Sequence, residues 1–167
     1  MSKGLAALRV LVIDDNPQMR TIIGSVLRAV DVRNIHYAPD GRIGVDAVLR
    51  LRPDICFVDY EMPNMNGLDF VSMVRGMGGP ERFTPIIMLT GHSDMLRLTK
   101  ARDRGVNEFL GKPVTAKAIL ARLEAVIFRP RPFIDAPTFF GPDRRRRVVP
   151  DYAGPLRRDA DQSVLSI

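Results

Sequence analysis

Five residues suited to handling a phosphoryl group stand at the ends of apolar runs in this chain: Asp14, Asp15, Asp59, Thr90 and Lys112. Asp14 and Asp15 follow "RVLVI" (9–13), Asp59 ends "ICFVD" (55–59), Thr90 ends "PIIMLT" (85–90) and Lys112 follows "EFLG" (108–111). Three carboxylates gathered at one edge repel each other unless a cation joins them. An oxygen-only set favours Mg²⁺, completed by water and a substrate phosphate. Lys112 supplies a point charge for a phosphoryl oxygen, Thr90 supplies a hydroxyl, and Asp59 is placed as the nucleophile. Singly, each is an ordinary cap or loop residue; together, in this order, they describe phosphoryl transfer.

These positions require a particular scaffold. "RVLVI" stops at acidic residues as a buried parallel strand does. Helical spacing follows from Pro17 through Met19, Ile22, Ile23, Val26, Leu27 and Val30, with Asn16 as N-cap. The alternation repeats: strand 34–38, helix 40–51, strand 55–59, helix 67–77, strand 85–90, helix 93–104, strand 108–111 and helix 115–128. Five strands alternating with five helices imply an α/β, doubly wound parallel sheet covered on both sides, with ligand chemistry at the carboxyl ends of the strands.

Composition sets further bounds. Of 167 residues, 46% are hydrophobic and 26% charged, ordinary for a soluble domain. No apolar run has membrane-spanning length, and "VLVI" (10–13) is cut short by Asp14 and Asp15, so neither a span nor a signal peptide is expected. Cys56 is the single cysteine, which excludes an intramolecular disulfide or a thiolate-clustered metal. A cytoplasmic protein is the simplest reading.

The motifs "DD" (14–15), "FVDYEMPNMNGLDF" (57–70), "MLTG" (88–91) and "FLGKP" (109–113) closely resemble the receiver domain of two-component response regulators, the CheY-like, flavodoxin-like fold. The resemblance covers residues 8 to 128. It implies strand order 2-1-3-4-5, phosphorylation of Asp59 by a histidine kinase or histidine phosphotransferase, and Mg²⁺ held by Asp14, Asp15, Asp59 and the backbone carbonyl of Glu61. It further implies a cis Lys112–Pro113 bond and a switch made of Thr90 and the Phe109 ring. Glu61 and His92 flank the site and are candidates for tuning access of water to the acyl phosphate. The basic residues Arg97, Lys100, Arg102, Arg104, Lys117 and Arg122 fall on the last two helices, whose face contacts partners in this family. No enzymatic turnover of an external substrate is expected, only assisted self-phosphorylation and hydrolysis.

After Phe128 the periodicity ends. Residues 1–128 read as the receiver domain. Residues 129–167 read as a Pro/Arg-rich tail, extended and disordered unless a ligand orders it. The tail holds 8 basic and 5 acidic groups in 39 residues, against 17 and 14 in the preceding 128, so half of the net +6 lies on it. That asymmetry points to an anionic partner. "GPDRR" (141–145) and "GPLRR" (154–158) repeat at an offset of 13, with Phe140 and Tyr152 upstream. Gly-Pro presets a turn; one arginine can grip a guanine edge while its neighbour stacks on a base or meets a phosphate. Two such units suit a ligand with two guanines and two phosphates, which describes cyclic di-GMP. The tail also resembles the arginine-rich extension of the Cle group of CheY-like cyclic di-GMP effectors, some of which act on the flagellar motor. That resemblance implies contacts from Arg144, Arg145, Arg157 and Arg158, with Asp143 or Asp159 accepting from a guanine amino group and Tyr152 beside them. A flagellar motor switch protein is then a candidate target, and specific DNA binding is not expected. Two other readings stay open: a plain phosphorylation switch with an inert or localising tail, and a tail that binds nucleic acid or other polyanions without base preference.

Overall fold

The computed structural model describes residues 4–91, 95–145 and the pair 164–165. Its centre is a five-stranded parallel sheet in the order β2-β1-β3-β4-β5, formed by Arg9–Ile13, Asn34–Ala38, Ile55–Asp59, Ile86–Thr90 and Glu108–Gly111 for β1 to β5. The helices are α1 (Pro17–Ala29), α2 (Gly41–Leu51), α3 (Gly67–Arg75), α4 (Met95–Asp103) and α5 (Ala116–Phe128). Strand order and helix succession agree with the expectation. Among the described residues, no helix is long and apolar enough to cross a membrane.

The strands are continuously apolar because both faces are covered, and side chains alternate between faces. Val10, Val12, Phe57, Ile87 and Leu89 point toward α1 and α5, where Ile23, Leu27, Ile119, Leu123 and Val126 complete one core layer. Leu11, Ile13, Cys56, Val58 and Met88 point the other way, onto Val45, Val48, Phe70, Val71 and Val74 of α2 and α3. Four helices begin on a side-chain cap at the end of a strand-to-helix loop. Asn16, Asp40, Asn66 and Thr115 accept from the backbone N–H groups of Gln18, Ile43, Asp69 and Ala118, satisfying donors that the first turn leaves open. These caps fix where each loop leaves the carboxyl edge of the sheet.

The chain does not lose structure at Phe128. For the stretch 129–145 the sequence predicts an extended segment without packing of its own. Instead β6 (Phe133–Ala136) and β7 (Phe139–Pro142) form an antiparallel hairpin, and the backbone of β8 (Val164–Leu165) pairs with β6. The hairpin docks through its aromatic residues. Phe133 and Phe139 are buried, and the Phe83 ring meets Phe133 and Phe140 edge-on, each at 5.3 Å. Arg82 lies 3.5 Å over the Phe140 ring.

Beneath the hairpin, Arg75 is only 5% exposed. It donates to the carbonyls of Gly105, Arg82 and Thr84 and to Asn107 Oδ1, and its guanidinium stands 5.0 Å from the Phe133 ring. Gly105 permits this closeness. Its φ is +101°, and a Cβ there would lie 2.9 Å from the Phe140 carbonyl oxygen and 3.0 Å from Arg75 Nε. Four-residue strands bounded by prolines carry too little pattern to be read locally. What stabilises them is supplied by residues 75, 82, 83 and 105, far away in sequence.

Candidate functional site: an acidic cluster at the carboxyl edge of the sheet

Asp14 follows β1, Asp59 ends β3, Thr90 ends β4 and Lys112 follows β5. Parallel strands bring all four ends to one edge. The backbone ties them there: Asp14 N–H donates to the Ala38 carbonyl, Tyr60 N–H to Leu89, and Lys112 N–H to Thr90. Gly67, at the start of α3, packs against the last turn of β3. A Cβ on it would come within 2.4 Å of the Asp59 carbonyl oxygen, so the loop that carries Glu61 can close over the site only with glycine there.

Carboxylate oxygens of Asp14, Asp15 and Asp59 lie within 4.8 Å of one another. Asp14 and Asp59 are buried and Asp15 is exposed. Lys112 Nζ reaches Asp59 Oδ1 at 2.8 Å. Asp14 Oδ1 accepts from Asn16 N–H at 2.8 Å, whereas Asp14 Oδ2 is buried without a hydrogen-bond partner. Burial pushes the Asp14 carboxyl up to about 6, with the neighbouring Asp59 and Asp15 charges adding to it against Asn16 and Lys112. Burial also raises Asp59, opposed chiefly by its bond to Lys112. A buried carboxylate oxygen with no donor, facing two more carboxylates, suits a cation-binding site. The hard, oxygen-only donor set fits Mg²⁺.

The edge thus gathers Asp14, Asp15, Asp59, Thr90 and Lys112 as the strand ends predict. The Lys112–Pro113 bond is cis. Phe109 on β5 is half-buried, its ring against the core layer beneath α2 and α3. The Glu61 carboxylate is held by Arg97 of α4 at 2.5 Å, and that guanidinium also stands 5.3 Å from the Tyr60 ring. Neither this bridge nor the donation from Arg20 to the Asp14 carbonyl at 2.6 Å has a signal in the sequence; the first joins residues 36 apart. His92, considered as a flanking residue, lies outside the described residues.

The tail residues divide. Asp143 is 7% exposed and accepts from Arg145 N–H and Nε. Arg144 pairs with Asp103 of α4 at 2.7 Å and lies 4.3 Å from the Phe139 ring. The first Gly-Pro-Asp-Arg-Arg unit is therefore packed down on the sheet domain, with Gly141 and Pro142 in β7. Tyr152, Arg157, Arg158 and Asp159 lie outside the described residues.

A doubly wound sheet in this order, with an acidic cluster and a lysine at its carboxyl edge, is the architecture of a phosphoryl-receiving signalling domain. The family model described as the response regulator receiver domain matches residues 10–124, and the chain belongs to that family. It is a CheY-like receiver domain of a two-component response regulator. Among curated relatives, the DNA-binding response regulator MtrA of Mycolicibacterium smegmatis is 32% identical over 121 residues, covering 72% of this chain and 51% of that protein. The protein-glutamate methylesterase/protein-glutamine glutaminase 3 of Vibrio cholerae is 33% identical, over 71% of this chain and 32% of that one. The chain thus spans about half the length of the first of these relatives, or less. Among solved structures, the chemotaxis protein CheY4 of Vibrio cholerae superposes with a TM-score of 0.67 at 30% identity, over 71% of this chain and 98% of that one. The receiver domain of the sensor histidine kinase PA1611 from Pseudomonas aeruginosa, solved with magnesium coordinated in its active-site cleft, gives a TM-score of 0.66 at 26% identity, over 72% of this chain and 98% of that one.

Proposed function

We propose that this receiver domain is switched by phosphorylation of Asp59, with a histidine kinase or histidine phosphotransferase as donor. The observation that carries the reading is the convergence of the Asp14, Asp15 and Asp59 carboxylates within 4.8 Å, with Lys112 on Asp59. Asp14, Asp15, Asp59 and the Glu61 carbonyl would hold Mg²⁺, which when bound neutralises charge on the phosphoryl oxygens. An Asp59 carboxylate oxygen forms the new O–P bond while the bond from phosphorus to the donor nitrogen breaks. Lys112, already within reach of Asp59, follows the charge onto the phosphoryl group. The Thr90 hydroxyl, at the end of the neighbouring strand, donates to a phosphoryl oxygen, and Phe109 turns into the space this vacates. Incubation with acetyl phosphate and Mg²⁺ should add one phosphoryl group by intact mass, and EDTA should abolish the addition. Equal incorporation in EDTA would overturn the metal part of the reading.

The repeated Gly-Pro-x-Arg-Arg units support a second input, cyclic di-GMP bound by Arg144, Arg145, Arg157 and Arg158 with Asp143, Asp159 and Tyr152. Arg144 would exchange Asp103 for the ligand, linking the tail to α4. The output would be a protein target such as a flagellar motor switch protein; the likeness to a chemotaxis protein supports that class. Calorimetric titration of cyclic di-GMP, with GTP as control, should show micromolar or tighter binding that Arg157→Ala with Arg158→Ala removes. Binding that falls steeply with salt and ignores the base would favour a polyanion-binding tail. No binding at all would leave a plain phosphorylation switch. A chain ended at Phe128 is a poor control, because it would strip the hairpin from Arg75 and Phe83.

A further inference from the structure

Away from the acidic edge, a cavity of about 540 Å³ lies between the end of α4, β5, α5 and the segment leading into the hairpin. Five arginines line it, Arg102, Arg122, Arg129, Arg131 and Arg144, and Glu108 is the one carboxylate in its wall. Two of these arginines come from α4 and α5, and three follow α5. Their carboxylate partners are few. Arg131 and Arg122 share Glu108 at 3.4 and 4.0 Å, Arg144 and Arg102 share Asp103 at 2.7 and 3.7 Å, and Arg129 stands 3.9 Å from Glu124. Five guanidiniums thus face three carboxylates, and the ion pairs made by Arg102, Arg122 and Arg129 are longer than a hydrogen bond. Arg122 also donates to the Phe109 carbonyl at 2.6 Å, and Arg131 to the Asn107 and Asp143 carbonyls, which leaves their other N–H groups for a ligand.

A second cavity, of about 510 Å³, adjoins the first and shares Asn107, Glu108, Ala125, Arg129 and Arg131 with it. Its character is different: Phe83, Pro130, Pro132, Val126 and Phe133 form an apolar wall. The hairpin and the α5 exit create both spaces, so neither could be read from the receiver motifs. Guanidinium forks match adjacent phosphate oxygens in geometry and charge. A lone inorganic anion would leave most of this volume empty, whereas cavities of this size bury small organic ligands. An arginine-lined compartment opening onto a proline and phenylalanine wall matches a molecule with phosphates at one end and a planar, largely apolar ring at the other.

We propose that these two cavities form a binding site for a nucleoside di- or triphosphate, with the phosphates among the five arginines and the base against Phe83 and the prolines. The site is separate from the Asp59 cluster and shares only Arg144 with the tail reading; Arg145, Arg157 and Arg158 are not part of it. GDP, ADP and pyrophosphate would each be titrated by calorimetry into the full chain in EDTA, which removes the metal-dependent route to the acidic edge. The same titrations would use an Arg102→Ala/Arg129→Ala variant, whose replaced side chains are 45% and 72% exposed, so that its circular dichroism spectrum should match the parent's. A nucleoside diphosphate should bind at one site, more tightly than pyrophosphate. The double variant should weaken it by about tenfold or more, the loss expected for removing charged hydrogen bonds. Binding should be unchanged by Arg157→Ala with Arg158→Ala. Failure of both nucleotides to bind, or equal affinity in the Arg102→Ala/Arg129→Ala chain, would overturn the site. Pyrophosphate binding as tightly as the nucleotides would overturn the role of the apolar compartment. Loss of nucleotide binding with Arg157 and Arg158 alone would place the phosphates on the tail.

Discussion

Replacing Arg75 tests whether the hairpin is part of the folded domain. Arg75 makes five hydrogen bonds to four acceptors at 2.6 to 3.0 Å, and among these groups it meets no carboxylate. Burial pulls its pKa down to about 9, still above neutrality, so the folded chain keeps the charge and holds it with carbonyl dipoles and the Phe133 ring. Arg75→Met retains most of the apolar stem and removes every donor. Asn107 Oδ1 keeps its bond from Ile86 N–H at 2.9 Å, but the carbonyls of Gly105, Arg82 and Thr84 lose the arginine donors. A buried acceptor stripped of its donor costs about 1–3 kcal/mol, and relaxation with entering water brings the sum toward the low end, about 3–5 kcal/mol. At roughly 2–4 °C per kcal/mol for a domain of this size, the melting temperature should fall by about 6–20 °C. Urea unfolding followed by circular dichroism measures the loss. Limited proteolysis should show earlier cleavage near residues 129–145, because the Phe133 side of the hairpin loses its support. A loss below about 1 kcal/mol with unchanged proteolysis would refute the view of Arg75 as the anchor of the extension.

Asp14 predicts a pH dependence. Its folded pKa of about 6 lies above the ordinary 3.8, so the folded chain holds that proton more tightly than the unfolded one. Its contribution to stability is therefore fully present below about pH 4 and lost as pH rises through 6. Asp14→Asn should match the parent chain near pH 4 and melt higher at pH 7.5, and millimolar Mg²⁺ should stabilise the parent alone at the higher pH; no change with pH would contradict the assignment. Gly67→Ala places a methyl 2.4 Å from the Asp59 carbonyl oxygen and 3.0 Å from Tyr60 Cα. It should destabilise by about 2 kcal/mol or more and slow phosphorylation, read by melting and by the acetyl phosphate assay.

The strands and the acidic site were legible because both depend on local runs. "RVLVI" and "ICFVD" are apolar throughout as strands covered on two faces must be, and the next residue or the last one carries the chemistry. The first helix start was legible for the same reason, since Asn16 sits one residue before the periodic segment it caps. The hairpin was not. "FIDA" and "FFGP" are short, follow "RPRP", and gain their stability from Arg75, Arg82 and Phe83. The arginines of that region read as a charged tail, yet Arg131 donates to the Asn107 carbonyl and Arg144 is caught between Asp103 and Phe139. Charge counting finds the excess but not its folding, because which carbonyl or ring a guanidinium meets is decided by contacts distant in sequence.

Chemical mapping of the phosphorylated residue tests the central claim most directly. After reaction with acetyl phosphate and Mg²⁺, borohydride reduction converts an aspartyl phosphate to homoserine, which peptide mass spectrometry locates. The account predicts homoserine at position 59 alone and no phosphoryl incorporation in Asp59→Asn. Modification at Asp14 or Asp15, or undiminished incorporation in Asp59→Asn, would contradict it.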